Sequence, residues 1–179
     1  MYVKVCGLIN TEQIDKAIAF GYDAIGVVTY PKSKRYCSPE AARKLASYAQ
    51  NRIDTFVVSK RYADVASIAD AFDYVQIYEP KALSNLVFAS KDKPPKNLDY
   101  IFFMYDSSVG SGIFKPFPKW LGGIHHKLIV AGGLNQDNVC QVIKEIDPFG
   151  VDISSGVEKN GVKDFQLMQA FIETIRLGC

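Results

Sequence analysis

The sequence predicts a parallel α/β fold, and two observations carry that prediction. Short apolar runs alternate with segments of helical periodicity along the chain. Such alternation implies parallel strands joined by right-handed crossovers. The second observation is size and composition: 179 residues, 48% apolar and 22% charged, the ordinary globular mix for a single domain spanning residues 1–179. A closed (β/α)8 barrel and an open doubly wound sheet both satisfy the pattern.

The elements follow in order. Tyr2–Cys6 is a strand-like run that stops at Gly7. Asn10 then caps a helix, with Gln13 three residues on and Ile14, Ala17 and Ile18 at helical spacing. Phe20-Gly21 ends it, and residues 23–29 form a second buried strand. A loop rich in Pro, Ser and basic residues leads to Ser38-Pro39-Glu40, a cap followed by Pro at the first helical position, where its missing N–H costs nothing. Residues 53–59, 74–78, 86–89, 98–104, 127–131 and 150–153 read as further strands. Residues 62–71, 135–146 (capped by Asn135) and 164–177 read as helices.

The middle of the chain is irregular. The segments 79–85 and 90–97, the second containing Lys93-Pro94-Pro95-Lys96, are too short for a crossover helix of about a dozen residues. If the sheet closes into a barrel, the fourth helix is missing and the fifth is absent or reduced. That shortening accounts for a chain below the roughly 200 residues usual for the fold.

Composition excludes several function classes. Lys plus Arg number 21 against 19 Asp plus Glu, a formal charge of +2 that is evenly spread and argues against nucleic acid as a partner. No apolar run reaches the length of a membrane span, and the N-terminal residues lack a signal-type apolar segment, so a cytoplasmic protein is expected. The four cysteines, Cys6, Cys37, Cys140 and Cys179, form no C-x-x-C pair, and the histidines are the adjacent His125 and His126. No metal site and no disulfide framework are expected; Cys37 and Cys140 read as packing.

In a parallel barrel the chemistry lies just past the C-terminal ends of the strands. Those positions hold Cys6-Gly7, then the basic loop with Arg35, then Asp106 followed by Gly110-Ser111-Gly112, then Gly132-Gly133, then Ser154-Ser155-Gly156. Glycine-rich ends of the last strands suit a phosphate, because backbone N–H groups can approach an anion closely there. Each residue also has a plainer reading: Cys6 as packing, Asp106 as a turn carboxylate, Arg35 as one charge on a solvated loop.

Taken together, Lys4-Val5-Cys6-Gly7-Leu8, Asp23-Ala24-Ile25-Gly26 and Tyr30-Pro31-Lys32-Ser33-Lys34-Arg35-Tyr36 resemble the N-terminal signature of the phosphoribosylanthranilate isomerases. Ala131-Gly132-Gly133-Leu134-Asn135 and residues 150–158 with Gly161-Val162-Lys163-Asp164 resemble their C-terminal half. The resemblance implies a (β/α)8 barrel of tryptophan biosynthesis that converts N-(5-phosphoribosyl)anthranilate to 1-(2-carboxyphenylamino)-1-deoxyribulose 5-phosphate, without cofactor, as a monomer or homodimer. It implies Cys6 as general base, Asp106 as general acid and Arg35 as the ligand of the anthranilate carboxylate. Gly110, Ser111, Gly112, Gly132, Gly133, Ser154, Ser155 and Gly156 match the substrate's phosphate site. The cationic field of Lys4 and Arg35 is expected to favour the thiolate of Cys6. Two departures stand out: Tyr78-Glu79 replaces a histidine–glycine pair after the fourth strand, and the sixth loop carries an insertion. The competing reading is a phosphate-binding barrel that acts on another sugar phosphate or only binds.

Overall fold

The computed structural model describes residues 1–108, 113 and 116–179. Eight parallel strands close into a barrel in sequence order: β1 (Tyr2–Cys6), β2 (Ala24–Val28), β3 (Asp54–Val58), β4 (Tyr74–Ile77), β5 (Leu86–Ser90), β6 (Phe102–Asp106), β7 (Leu128–Ala131) and β8 (Gly150–Ile153), with β8 returning to pair with β1. Of the two closures open to the sequence pattern, the barrel is therefore the one adopted. Among the described residues, four α-helices flank it: α1 (Thr11–Phe20), α2 (Pro39–Ala49), α3 (Val139–Ile146) and α4 (Phe165–Gly178). A two-stranded ribbon, β9 (Glu158–Lys159) with β10 (Val162–Lys163), precedes α4.

The local signals act as the chemistry requires. Asn10 accepts from the Gln13 amide while the Gln13 side chain accepts from Ile9 N–H, a reciprocal cap of the first turn of α1. Ser38 caps α2 ahead of Pro39, and Asp164 caps α4. Alternation along the strands separates two apolar layers. Cys6, Ala24, Phe56, Val58, Val87, Ala89, Met104, Ile129 and Ala131 fill the barrel interior, and Val3, Val5, Ile25, Val27, Phe88, Phe103 and Val130 pack outward beneath the helices and loops.

No helix lies between β4 and β6 among the described residues, as the segment lengths predict. Three expectations are corrected. Residues 62–71 form two 3-10 turns, Tyr62–Asp64 and Ala69–Ala71, instead of a helix; the Asp64 carboxylate accepts from Ser59 and Arg61, local bonds that compete with a helical ladder. Asn135 does not cap α3: its side chain accepts from the amides of Asp137 and Asn138, an Asx turn that delays the helix to Val139. Cys140 and Cys179 are joined by a disulfide. The packing of α3 beside α4 brings their Cα atoms to 5.0 Å, a proximity no sequence spacing reports.

Candidate active site

A cavity of about 640 Å³ opens at the C-terminal mouth of the barrel, within the range that holds a drug-sized ligand. Cys6, Arg35, Asp106, Gly132, Gly133, Ser154 and Ser155 all line it, so residues from five separate strand ends converge on one space. Gly156 does not line it. It packs against the Leu134 carbonyl, where an added Cβ would lie 2.0 Å from the oxygen, and so holds the β7 and β8 loops together. Gly110, Ser111 and Gly112 lie outside the described residues.

Cys6 ends β1 with its thiol buried. Beside it, Lys4 is fully buried inside the barrel and donates to Asp152 Oδ1 at 2.8 Å. Two charges in otherwise apolar strands are tolerated because they pair. Burial alone would lower the Lys4 ammonium, but Asp152 and Cys6 outweigh it and hold it above its ordinary value. The thiol itself is pushed up: burial is the largest cause, Asp152 adds to it, and Lys4 and Lys163 oppose it without winning. The expected preference for thiolate is thus reversed. Gly26 on β2 makes room for this pair, since a Cβ there would stand 2.8 Å from Cys6 Sγ and 3.0 Å from Lys4 Nζ.

Asp106 ends β6. Its Oδ1 accepts from Ser108 N–H at 2.9 Å and from Ser108 O–H at 2.8 Å, and its Oδ2 accepts from the Tyr78 hydroxyl at 2.7 Å. Gly132, at φ 99°, passes close beneath; a side chain there would be strained by the backbone and would meet Ser107 and Asp106 Oδ1.

Arg35 crosses over Gly7 and forms a bidentate pair with Glu158, with Nε to Oε1 and Nη2 to Oε2 both at 2.6 Å. Lys163, almost wholly buried, bonds Glu158 and also donates to the Ser154 carbonyl and hydroxyl, while Ser154 O–H donates to the Cys6 carbonyl. Burial would raise the Glu158 carboxyl, but Arg35 and Lys163 hold it below its ordinary range. One chain of contacts therefore runs from Arg35 to the backbone of Cys6.

Sequence reasoning assigned no role to Glu158, Asp152, Lys163, Tyr78 or Gln76. Lys4 and Asp152 did carry a signal: each is a charge embedded in an apolar strand. Gln76 lines the cavity with Oε1 buried and, among the described residues, without a hydrogen-bond donor. The described residues include no group of three metal-ligating side chains and no helix long and apolar enough to cross a membrane.

Barrel and mouth together define an α/β-barrel protein with a thiol, a carboxyl and a guanidinium facing one ligand-sized cavity. The family model described as N-(5'-phosphoribosyl)anthranilate (PRA) isomerase matches residues 99–174. The N-(5'-phosphoribosyl)anthranilate isomerase of Streptococcus pneumoniae is 34% identical over 196 residues, covering 98% of this chain and 96% of that protein. Among solved structures, TrpF from Jonesia denitrificans superposes with a TM-score of 0.81 at 30% identity, covering 98% and 97% of the two chains. A phosphoribosyl anthranilate isomerase in complex with reduced 1-(o-carboxyphenylamino)-1-deoxyribulose 5-phosphate superposes at 0.73 and 26% identity, covering 98% of each. The chain belongs to the N-(5'-phosphoribosyl)anthranilate isomerase family.

Proposed function

We infer that the protein isomerises N-(5'-phosphoribosyl)anthranilate to 1-(2-carboxyphenylamino)-1-deoxyribulose 5-phosphate, the Amadori step of tryptophan biosynthesis, with Asp106 as acid and Cys6 as base. The observation that carries the residue assignment is the placement of Cys6, Asp106 and Arg35 around one cavity, from β1, β6 and the β2 loop.

The chemistry suits those groups. Opening the ribose ring needs a proton on the ring oxygen while the anilino nitrogen forms a Schiff base. Asp106, in its carboxylic acid form, supplies that proton. The Schiff base draws electrons from the adjacent carbon, whose proton passes to Cys6 Sγ as thiolate; the resulting enolamine tautomerises to the ketone. Lys4 beside Sγ stabilises the thiolate when it forms. Glu158 occupies Nε and Nη2 of Arg35 and fixes the guanidinium, leaving Nη1 to bind the anthranilate carboxylate. Gln76 Oε1 offers an acceptor for an N–H or O–H of the substrate. The phosphate is assigned to the backbone of Gly132, Gly133 and Ser155, with Gly110, Ser111 and Gly112 of the sixth loop as further candidates.

Steady-state turnover, followed through loss of anthranilate fluorescence, tests this reading. Cys6→Ala and Asp106→Asn are each expected to lower kcat by about 10²–10⁴-fold, with circular dichroism unchanged and product analogue still bound. Arg35→Ala is expected mainly to raise KM, because the carboxylate contact is made before the transition state as well as in it. Near-normal kcat in a folded Cys6→Ala or Asp106→Asn protein would remove that residue from the mechanism. Absence of turnover in the unmodified chain would favour a barrel that binds a phosphorylated ligand without isomerising it.

A further inference from the structure

Among the described residues, Asp106 accepts from Ser108 at Oδ1 and from Tyr78 at Oδ2, and the two partners differ in chemistry. The Ser108 backbone N–H can only donate, so the oxygen it bonds, Oδ1, is an acceptor in every protonation state. Among the described residues, Oδ2 is the oxygen whose partner can also accept, and it is the one assigned the acid proton here. Its partner is the Tyr78 hydroxyl, 2.7 Å away, which can both donate and accept.

Tyr78 sits just past β4, two strands from Asp106 around the barrel, and lines the same cavity as Asp106 and Cys6. Its amide donates to the Lys60 carbonyl at 3.2 Å, which ties this position to the end of β3. Burial is the largest cause, and Asp106 the next, of a phenol held well above its ordinary range. Tyr78 therefore stays neutral wherever the enzyme works, and its hydroxyl is a permanent partner for Oδ2. Loss of the hydroxyl removes a neutral hydrogen-bond partner from Oδ2 while Ser108 still holds Oδ1.

We propose that Tyr78 is a positioning residue of the isomerisation: its hydroxyl fixes Oδ2 of Asp106, the oxygen from which the proton leaves for the ribose ring. When Oδ2 is protonated, the Asp106 O–H and the Tyr78 oxygen lie within hydrogen-bond reach. When the proton has left for the ring oxygen, the Tyr78 O–H donates to the carboxylate, which is the arrangement seen here. The inference rests on Asp106 being the acid.

The test is a double-mutant cycle on the full chain, built from Tyr78→Phe, Asp106→Asn and the double variant. Tyr78→Phe removes one hydroxyl and keeps the ring. It is expected to lower kcat by about 10- to 100-fold, the scale of one hydrogen bond to a charged group, with KM within twofold and thermal melting little changed. In the Asp106→Asn background the same substitution is expected to have almost no further effect, because it acts through the carboxyl. A purely structural Tyr78 would move melting and leave the kcat of the folded fraction intact. Wild-type kcat in Tyr78→Phe, or full multiplication of the two losses, overturns the proposal. If Asp106→Asn alone keeps wild-type kcat, the acid assignment fails, and the inference fails with it for that separate reason.

Discussion

Gly26→Ala is the sharpest probe of how the thiol is placed. The new Cβ would stand 2.8 Å from Cys6 Sγ, 3.0 Å from Lys4 Nζ and 3.2 Å from Cys6 Cα. The Sγ separation falls roughly 0.6 Å short of the 3.4 Å at which ordinary contact begins. The backbone cannot simply retreat. Gly26 pairs with Cys6 on one side and Phe56 on the other, and its carbonyl accepts from the amides of Gly7 and Leu8. The strain therefore falls on the Cys6 and Lys4 side chains. Overpacking of this kind costs about 1–3 kcal/mol, which for a chain of this size lowers Tm by roughly 2–12 °C. Displacing a reacting atom by a large fraction of an ångström is expected to cut kcat by about 10- to 100-fold. The assay is fluorescence turnover alongside thermal melting and binding of a product analogue, which on the proposed site is held by the phosphate loops and Arg35. A folded Gly26→Ala protein with wild-type kcat would show that Sγ need not occupy its observed position, and would refute Cys6 as the base.

Three further outcomes follow from the same contacts. Because burial pushes the Cys6 thiol up, the acid limb of kcat/KM should still be rising through about pH 8.5, the ordinary thiol value; Lys4→Met should move it higher and cost about 3–5 kcal/mol, since Asp152 is left buried without its cation. A pH–rate profile that is flat from pH 6 would contradict this. Glu158 is held below its ordinary range, so its ion pairs stabilise the fold fully above about pH 4.5 and are lost as pH falls through the lowered folded value; acid titration of Glu158→Gln should show a shallower loss of stability and a raised KM. Reducing Cys140–Cys179, which are 39 residues apart, should lower stability by about 4 kcal/mol on loop-closure grounds, while kcat is unchanged because neither sulfur lines the cavity.

Much of this architecture was legible because its signals are local. Asn10, Ser38 and Asp164 announce helix starts through bonds made within three residues. Strand ends could be read from glycines and from charges that close apolar runs, which is how Cys6 and Asp106 came to notice. What was not legible depends on distant partners. The pairing of Arg35 with Glu158 spans 123 positions, and that of Lys4 with Asp152 spans 148. The rise of the Cys6 thiol is a contest between burial and two lysines that only the assembled barrel decides. Tyr78 departs from the family pattern, and only the assembled barrel places its hydroxyl on Asp106.

The missing helices pose the remaining physical question, since β4–β6 would otherwise expose a sheet face. The outward residues of β5 and β6 are not exposed: Phe88 is 4% and Phe103 0% accessible. The cover is aromatic and comes from the segments on either side of β6, among them the 3-10 helix Lys119–Lys127. Tyr100 and Trp120 each lie 6.1 Å from the Phe103 ring, and Phe117 and Trp120 lie 5.7 Å from Tyr105. Large rings bury as much surface per residue as a helix turn offers, with fewer backbone groups to satisfy. Phe102 does not share that task. It faces inward and joins Tyr2, Tyr74 and Phe149 in a ring cluster at the strand starts. Aromatics thus close both the end away from the cavity and the thinned wall, while the cavity at the other end keeps its polar lining of Asp106, Asp152, Arg35 and Gln76. A barrel can shed crossover helices in this way because its chemistry is built on strand ends, whose positions are fixed by the parallel ladder and not by what packs outside it.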